Sequence, residues 1–263
     1  YATDGELAAA VAALEKKIDE AKKAFGLPLC KKVFKSGMKK QRPCLNYFIG
    51  LCRSPCSGRM IAPSHTALII VDMQKDFLAP DGAFAKAGRD ISDIQNIIPN
   101  CRRLIDAARD SGALVVFIRQ LTLPNGRSDG PAWYAFKTRD GKSAEYTLIG
   151  SDGAKIIPEL EPLPGEVVID KFRPSAFHGT FLGQLLRANG IRSTVCIGIN
   201  AEGCLMATVL DSSFDDYYTC VVEDAVSSSL PEMKKTAFDF MRRRFRILQT
   251  DEVVAEWEKQ TRK

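Results

Sequence analysis

Residues 64–263 of this 263-residue chain predict an α/β fold, three layers thick, with a mostly parallel sheet covered by helices on both faces. Three observations carry that expectation. Six short apolar runs rich in β-branched residues recur at 67–71, 113–118, 166–169, 194–199, 219–222 and 245–248. None alternates polar with apolar residues, so each is expected to be buried on both sides, as parallel strands are. Helical patterns at roughly 93–110, 178–189, 203–215 and 231–243 separate most of the runs. Strand, helix and strand in alternation is how parallel neighbours connect.

Ahead of this region lie two segments of different character. Over 1–27, Leu7, Val11, Leu14, Ile18, Ala21 and Phe25 are spaced 4-3-4-3-4, which predicts a helix with one apolar stripe. Thr3 and Glu6 form a capping-box pattern, and Gly26 with Pro28 supplies a stop. The stripe suits either docking on a domain or a coiled-coil seam. Residues 28–63 hold Lys31, Lys32, Lys35, Lys39, Lys40, Arg42, Arg53 and Arg59 and no acidic residue. That segment carries +8 in a chain of net charge +5, so the remainder sums to −3.

Composition narrows the function classes. At 45% hydrophobic and 26% charged, the chain has the balance of a soluble globular protein, not of a disordered or collagenous one. No apolar run approaches the ~20 residues a membrane-spanning helix needs. Eight cysteines in this length are too few for a disulfide-stapled scaffold and fit a reducing intracellular compartment, cytoplasmic or organellar. The chain opens at Tyr1, which reads as a processed or trimmed start, and no signal or transit peptide is legible. With only His65 and His178, a three-histidine metal centre is excluded.

In open α/β sheets the chemistry sits beyond the carboxyl ends of the strands. The first run ends in Asp72, and burial there raises a carboxylate's proton affinity unless a cation pairs with it. The third ends in Asp170-Lys171, which brings a lysine to the same rim. The fourth is followed by Asn200-Ala201-Glu202-Gly203-Cys204 and a helix, and a helix N-terminus favours a thiolate. Taken singly, each has an ordinary explanation as a cap, a solvated charge or a small core residue. Together, an acid, a cation and a thiol are the parts of nucleophilic catalysis. Cys101, Cys196 and Cys220 fall within helix or strand patterns and read as core thiols.

These residues sit in motifs. Ala67-Leu-Ile-Ile-Val-Asp72-Met-Gln-Lys-Asp-Phe77, Val168-Ile-Asp-Lys171-Phe-Arg-Pro-Ser-Ala-Phe-His-Gly-Thr180 and Ile197-Gly-Ile-Asn-Ala-Glu-Gly-Cys204-Leu-Met-Ala-Thr208 resemble, in this order, three motifs of the isochorismatase-like cysteine hydrolases. Tyr218-Thr-Cys-Val-Val-Glu-Asp-Ala225 fits as well, and the resemblance runs over about residues 64 to 260. It implies a six-stranded sheet of order 3-2-1-4-5-6. It implies that Cys204 attacks a carbonyl carbon, that Asp72 takes and returns the proton, and that Lys171 holds Asp72 ionised. The oxyanion would be held by the backbone amides of Asn200 and Cys204, with a cis peptide at Ile199–Asn200. No cofactor is implied for catalysis. Vinyl-ether-cleaving isochorismatases lack the cysteine, so Cys204 points to the amidohydrolase branch. Nicotinamidases add an aspartate and two histidines after the second strand, whereas residues 119–149 contain no histidine. Ala201 and Glu202 depart from the threonine and aspartate that many members carry. What remains resembles hydrolases of ureido, carbamoyl or biuret-type amides. Gln74, Phe77, Arg119, Trp133, Arg173 and Phe177 are the candidate substrate contacts, each with a structural role equally open. Arg119 and Arg173 suit a carboxylate. Family members are often dimers or tetramers, so a homo-oligomer or a place in a larger complex is expected.

The basic segment resembles the first part of a CCCH-type zinc finger through Cys44, Tyr47, Phe48, Gly50 and Cys52. The later spacings are irregular, with Cys56 after three residues and His65 eight further on. Cys30, Cys44, Cys52 and Cys56 are the candidate ligands of a structural zinc, against a basic tail with unmetallated cysteines. Its lysines and aromatics also suit nucleic acid, anionic lipid or an acidic partner, none of them favoured over a solvated surface. Two functions therefore stand: a metal-independent cysteine amidohydrolase of a small C–N substrate, or a hydrolase-fold subunit kept for assembly.

Overall fold

The computed structural model describes residues 60–141 and 143–261. The helix expected over 1–27 and the four candidate zinc cysteines lie outside the described residues. Six strands, β1 (Thr66–Val71), β2 (Leu114–Gln120), β3 (Val167–Lys171), β4 (Ser193–Gly198), β5 (Tyr218–Val226) and β6 (Arg246–Leu248), form one sheet. The order is β3-β2-β1-β4-β5-β6 and every pairing is parallel, as the motifs implied.

Strand parity divides the core. Leu68, Ile70, Phe117, Val195 and Ile197 face helices α1 (Ile98–Ser111) and α6 (Thr250–Thr261), meeting Leu104, Ile105, Val253 and Trp257. Ala67, Ile69, Val71, Val116, Ile118 and Cys196 face the other way. There they meet α3 (Leu182–Ala188), α4 (Met206–Phe214) and α5 (Pro231–Met241), through Leu182, Leu186, Val209, Phe238 and Met241. Because side chains alternate along a strand, an all-apolar strand such as β1 supplies both layers at once. Met60 and Ile61 pack on this core: Ile61 is buried, and Trp257 Nε1 donates to its carbonyl at 2.7 Å.

Several boundaries move for local reasons. The helix expected over 93–110 is a single turn, Ser92–Gln95, followed by α1, whose first turn contains Pro99. Proline has no N–H to continue a helix but fits its first turn. Gly112, at φ 76°, caps the other end of α1 in the left-handed conformation. The helices α2 (Pro131–Thr138) and α6 were not expected, and β3 runs through Lys171 instead of ending before it. Among the described residues no helix is long and apolar enough to cross a membrane.

The chain leaves β1 toward β2 on one side and returns beyond β1 to β4 on the other. The crevice between the carboxyl ends of β1 and β4 is therefore the topological switch point. Gly198 makes that approach close. It has φ 111°, and a Cβ there would lie 2.1 Å from the Val71 carbonyl oxygen. We expect Gly198→Ala to cost about 3 kcal/mol or more, from overpacking against backbone and a disfavoured φ. A urea midpoint equal to that of the wild type would show that the two strand ends separate freely.

Candidate active site

At the end of β1, strict alternation would send Asp72 toward α1 with Ile70. Its φ of 55°, which aspartate tolerates better than most residues, turns the chain instead. The carboxylate is 2% exposed and Lys171, the last residue of β3, is 1% exposed. Lys171 Nζ donates to Asp72 Oδ2 at 2.9 Å and to Gln120 Oε1 at 3.0 Å. Gln120 stands opposite Lys171 in the β2–β3 register.

Sequence reasoning missed Gln120, although a glutamine closing an apolar strand was a signal of the same kind as Asp72. For Gln74, a candidate substrate contact with a structural role equally open, the structure shows the structural role. That side chain is fully buried, with Oε1 accepting the Gln120 N–H at 2.8 Å and Nε2 donating to the Gln120 and Ala154 carbonyls at 2.9 Å each. Gln74 therefore braces the strand end that holds Lys171, and its amide hydrogens are both committed.

Cys204 lies in one π-helical turn, Ala201–Leu205, immediately before α4. The Asn200 carbonyl accepts the N–H groups of Gly203 at 3.0 Å and Leu205 at 3.2 Å. Ala201 N–H donates to Ser227 beyond β5 at 2.9 Å. Thr208 Oγ1 donates to the Cys204 carbonyl at 2.7 Å and accepts the Ala176 N–H at 3.0 Å, linking this turn to the segment after β3. The Ile199–Asn200 peptide is cis, as the resemblance implied. The Asn200 N–H has no acceptor among the described residues.

The thiol lies in the fields of both Asp72 and Lys171. Burial pushes it up to about 12 despite the nearby ammonium. That direction runs against the thiolate that a helix N-terminus favours. Burial also raises the Asp72 carboxyl above its usual range, with Lys171 opposing the rise. For Lys171 burial disfavours the charge, but the facing Asp72 carboxylate prevails and holds the ammonium above its ordinary value. Cys196 and Cys220 are also pushed up to about 12 by burial.

A thiol held this high should react slowly with iodoacetamide at pH 7, the rate climbing about tenfold per pH unit through pH 9. A rate that levels off near neutrality would reveal a preformed thiolate.

The remaining substrate candidates separate clearly. Phe77 is 5% exposed and packs edge-on against Phe84 and Tyr146, with centroids 4.8 and 5.9 Å away, as part of the hydrophobic core. Arg119 shares its parity with Phe117 and faces away from Gln120 and Lys171. It pairs with Asp170 through Nε and Nη2 at 2.7 and 2.9 Å. Trp133 stacks on Phe136 within α2 at 5.1 Å. Arg173 Nη1 donates to the Ser128 and Phe172 carbonyls at 2.9 and 2.7 Å, tying the loop after β2 to the segment after β3. Phe177 packs near Tyr217, with centroids 6.2 Å apart. None of these last three has a described hydrogen bond or ring contact with Asp72, Lys171 or Cys204.

In the loop after β2, Lys137 Nζ donates to Asp129 Oδ2 at 2.9 Å and to Thr122 Oγ1 at 3.1 Å, and lies 4.7 Å from the Tyr146 ring centroid. This second ion pair is as deeply buried as the first. Burial, reinforced by Cys204 and Asp72, raises the Tyr146 phenol, so it stays neutral. Among the described residues, no group of three or more His, Cys, Asp or Glu is placed to hold a metal ion.

The sequence profile described as Isochorismatase domain matches residues 66–253, nearly the whole sheet and its helices. The chain belongs to the isochorismatase family. A second profile, the UvrC/Cho excinuclease middle domain, matches residues 8–70, most of which lie outside the described residues. Two curated relatives of this isochorismatase-like hydrolase are ureidoacrylate amidohydrolases RutB. The protein from Enterobacter sp. (strain 638) is 34% identical, over 67% of this chain and 81% of its own length. That from Variovorax paradoxus (strain S110) is 36% identical, over 62% of this chain and 68% of its own. Among solved structures, a cysteine hydrolase from Pseudomonas syringae pv. phaseolicola 1448A is similar with TM-score 0.68 and 23% identity, over 76% of this chain and 96% of that one. An N-carbamoylsarcosine amidase from Thermoplasma acidophilum is similar with TM-score 0.58 and 28% identity, over 71% of this chain and 97% of that one.

Proposed function

We propose that this isochorismatase-family chain is an amidase that hydrolyses a small ureido, carbamoyl or related C–N substrate through a thioester on Cys204, without a catalytic metal. One observation carries the reading: a buried carboxylate, paired with Lys171 through one oxygen, has its other oxygen, Oδ1, without a hydrogen-bond partner among the described residues, and the Cys204 thiol lies in the fields of both groups.

Cys204 Sγ attacks the carbonyl carbon as Asp72 takes the thiol proton. The oxyanion is held by the backbone amides of Asn200 and Cys204, each donor contributing about 3 kcal/mol. Asp72 returns the proton to the departing nitrogen, the C–N bond breaks and an acyl or carbamoyl thioester remains. Water then attacks that carbon, Asp72 receives its proton, the C–S bond breaks and the sulfur regains a proton. A carbamoyl group released in this way decomposes to ammonia and carbon dioxide. Lys171 supplies the fixed positive charge beside the base, and the lack of any histidine over residues 119–149 supports a reaction without a metal. The ureido and carbamoyl substrates of the two curated relatives and of the N-carbamoylsarcosine amidase favour that substrate class.

The test is ammonia release by the full chain, dialysed against a chelator, from ureido acids, N-carbamoyl amino acids and nicotinamide. Turnover of ureido or carbamoyl compounds, with an acid-quenched mass increment on Cys204, is expected. Silence across the whole panel overturns the reading.

A further inference from the structure

Arg89, which no motif singled out, is a half-buried cation that forms no ion pair with a described residue. Its Nη1 donates to Ser229 Oγ at 3.3 Å, and its guanidinium carbon lies 4.0 Å from the centroid of the Phe84 ring. Glu202, two residues before Cys204, has a buried Oε2 without a hydrogen-bond partner. The two opposite charges lie in each other's field without bonding. Both belong to the nucleophile's surroundings. Ser229 and Ser227 follow β5, Ser227 anchors Ala201 in the Cys204 turn, and the Ser227 hydroxyl is itself buried without a partner. Phe84, under the guanidinium, packs on Phe77 at 4.8 Å and Phe77 on Tyr146 at 5.9 Å, and the Tyr146 phenol lies in the fields of Cys204, Asp72 and Arg89.

Buried polar groups without partners cost about 1–3 kcal/mol each, and a ligand that pairs them recovers that cost. We propose that Arg89 and Glu202 form a substrate-recognition pair, Arg89 holding a carboxylate and Glu202 accepting the N–H groups of a terminal carbamoyl. The substrate class is then a ureido acid, with its carbamoyl carbon over Cys204 and its carboxylate a few atoms away. Of the two arginines that the sequence offered for a carboxylate, Arg119 is held by Asp170 and Arg173 donates to the Ser128 and Phe172 carbonyls. The proposal rests on the amidase reading and adds the part of the substrate that does not react.

Calorimetric binding to the full-length Cys204→Ala protein tests it without turnover. The ligands are ureidoacetate and 3-ureidopropanoate, each beside its own carboxamide. At least one acid should bind about tenfold or more tightly than its carboxamide, the difference a charge-assisted fork makes. Adding Arg89→Gln should bring that ratio close to one, and Arg89→Lys should keep part of it. Glu202→Gln should weaken an acid and its carboxamide alike. Equal binding of acids and carboxamides, a ratio untouched by Arg89→Gln, or no binding by any of the four ligands overturns the pair. Acid preference with no ammonia released by wild-type protein would instead overturn the amidase reading. Ammonia release without acid preference would overturn only the pair.

Discussion

Replacing Lys171 by methionine is expected to lower kcat/KM by about 10³-fold or more and to destabilise the fold by about 3–5 kcal/mol at pH 8. The ammonium is the only ion-pair partner of the Asp72 carboxylate among the described residues, and both groups are almost fully buried. Without it, burial acts on Asp72 unopposed, and its carboxyl, already raised, rises further. A folded-state carboxyl raised above its unfolded value contributes stability that is fully present below the unfolded value and is lost as pH rises through the folded one. The deficit of the variant should therefore shrink toward pH 4 and grow toward pH 8. The acid limb of its residual activity should move to higher pH, because Asp72 must be ionised to take the thiol proton. Adding Asp72→Asn removes the orphaned charge, so the double variant should regain stability while regaining no activity. Urea unfolding at two pH values together with a pH–rate profile decides the matter. A Lys171→Met protein with an unchanged acid limb would mean that Lys171 does not govern the proton affinity of Asp72.

Cys204→Ala is expected to reduce ammonia release by about 10⁴-fold or more, as loss of a covalent nucleophile does. The same change should leave the unfolding midpoint nearly unaltered, because the turn around Cys204 is held by backbone bonds to Asn200 and Ser227, not by the sulfur. The Asp72–Lys171 contact also survives in this variant, so lost activity with retained stability isolates the thiol chemistry. The acid-quenched mass increment should vanish with it. Retention of more than about one part in a hundred of wild-type turnover would point to water attacking directly, with Asp72 as its base and no thioester.

Much of the fold was legible because parallel strands declare themselves. Runs such as Ala-Leu-Ile-Ile-Val can only be buried on both sides, and the motif order carried the strand order with it. Asp72 and Lys171 were legible because each is a polar interruption where an apolar run stops, and Cys204 because it falls where the next helix starts. The helices α2 and α6 were not, since a few apolar residues such as Val253 and Trp257 mark too short a stripe to stand out.

By itself, then, the sequence determined the sheet and the three chemically distinct groups at its rim. Tertiary structure alone decided what those groups can do. Arg119 and Gln120 are neighbours in the chain, yet parity sends one to an ion pair with Asp170 and the other to Lys171. The paired register of β2 with β3 makes that division, and no single strand contains it. Burial likewise raises the proton affinity of the Cys204 thiol, against the helix N-terminus that favours a thiolate. Desolvation depends on everything packed around a group, so it belongs to the folded molecule and to no segment of it.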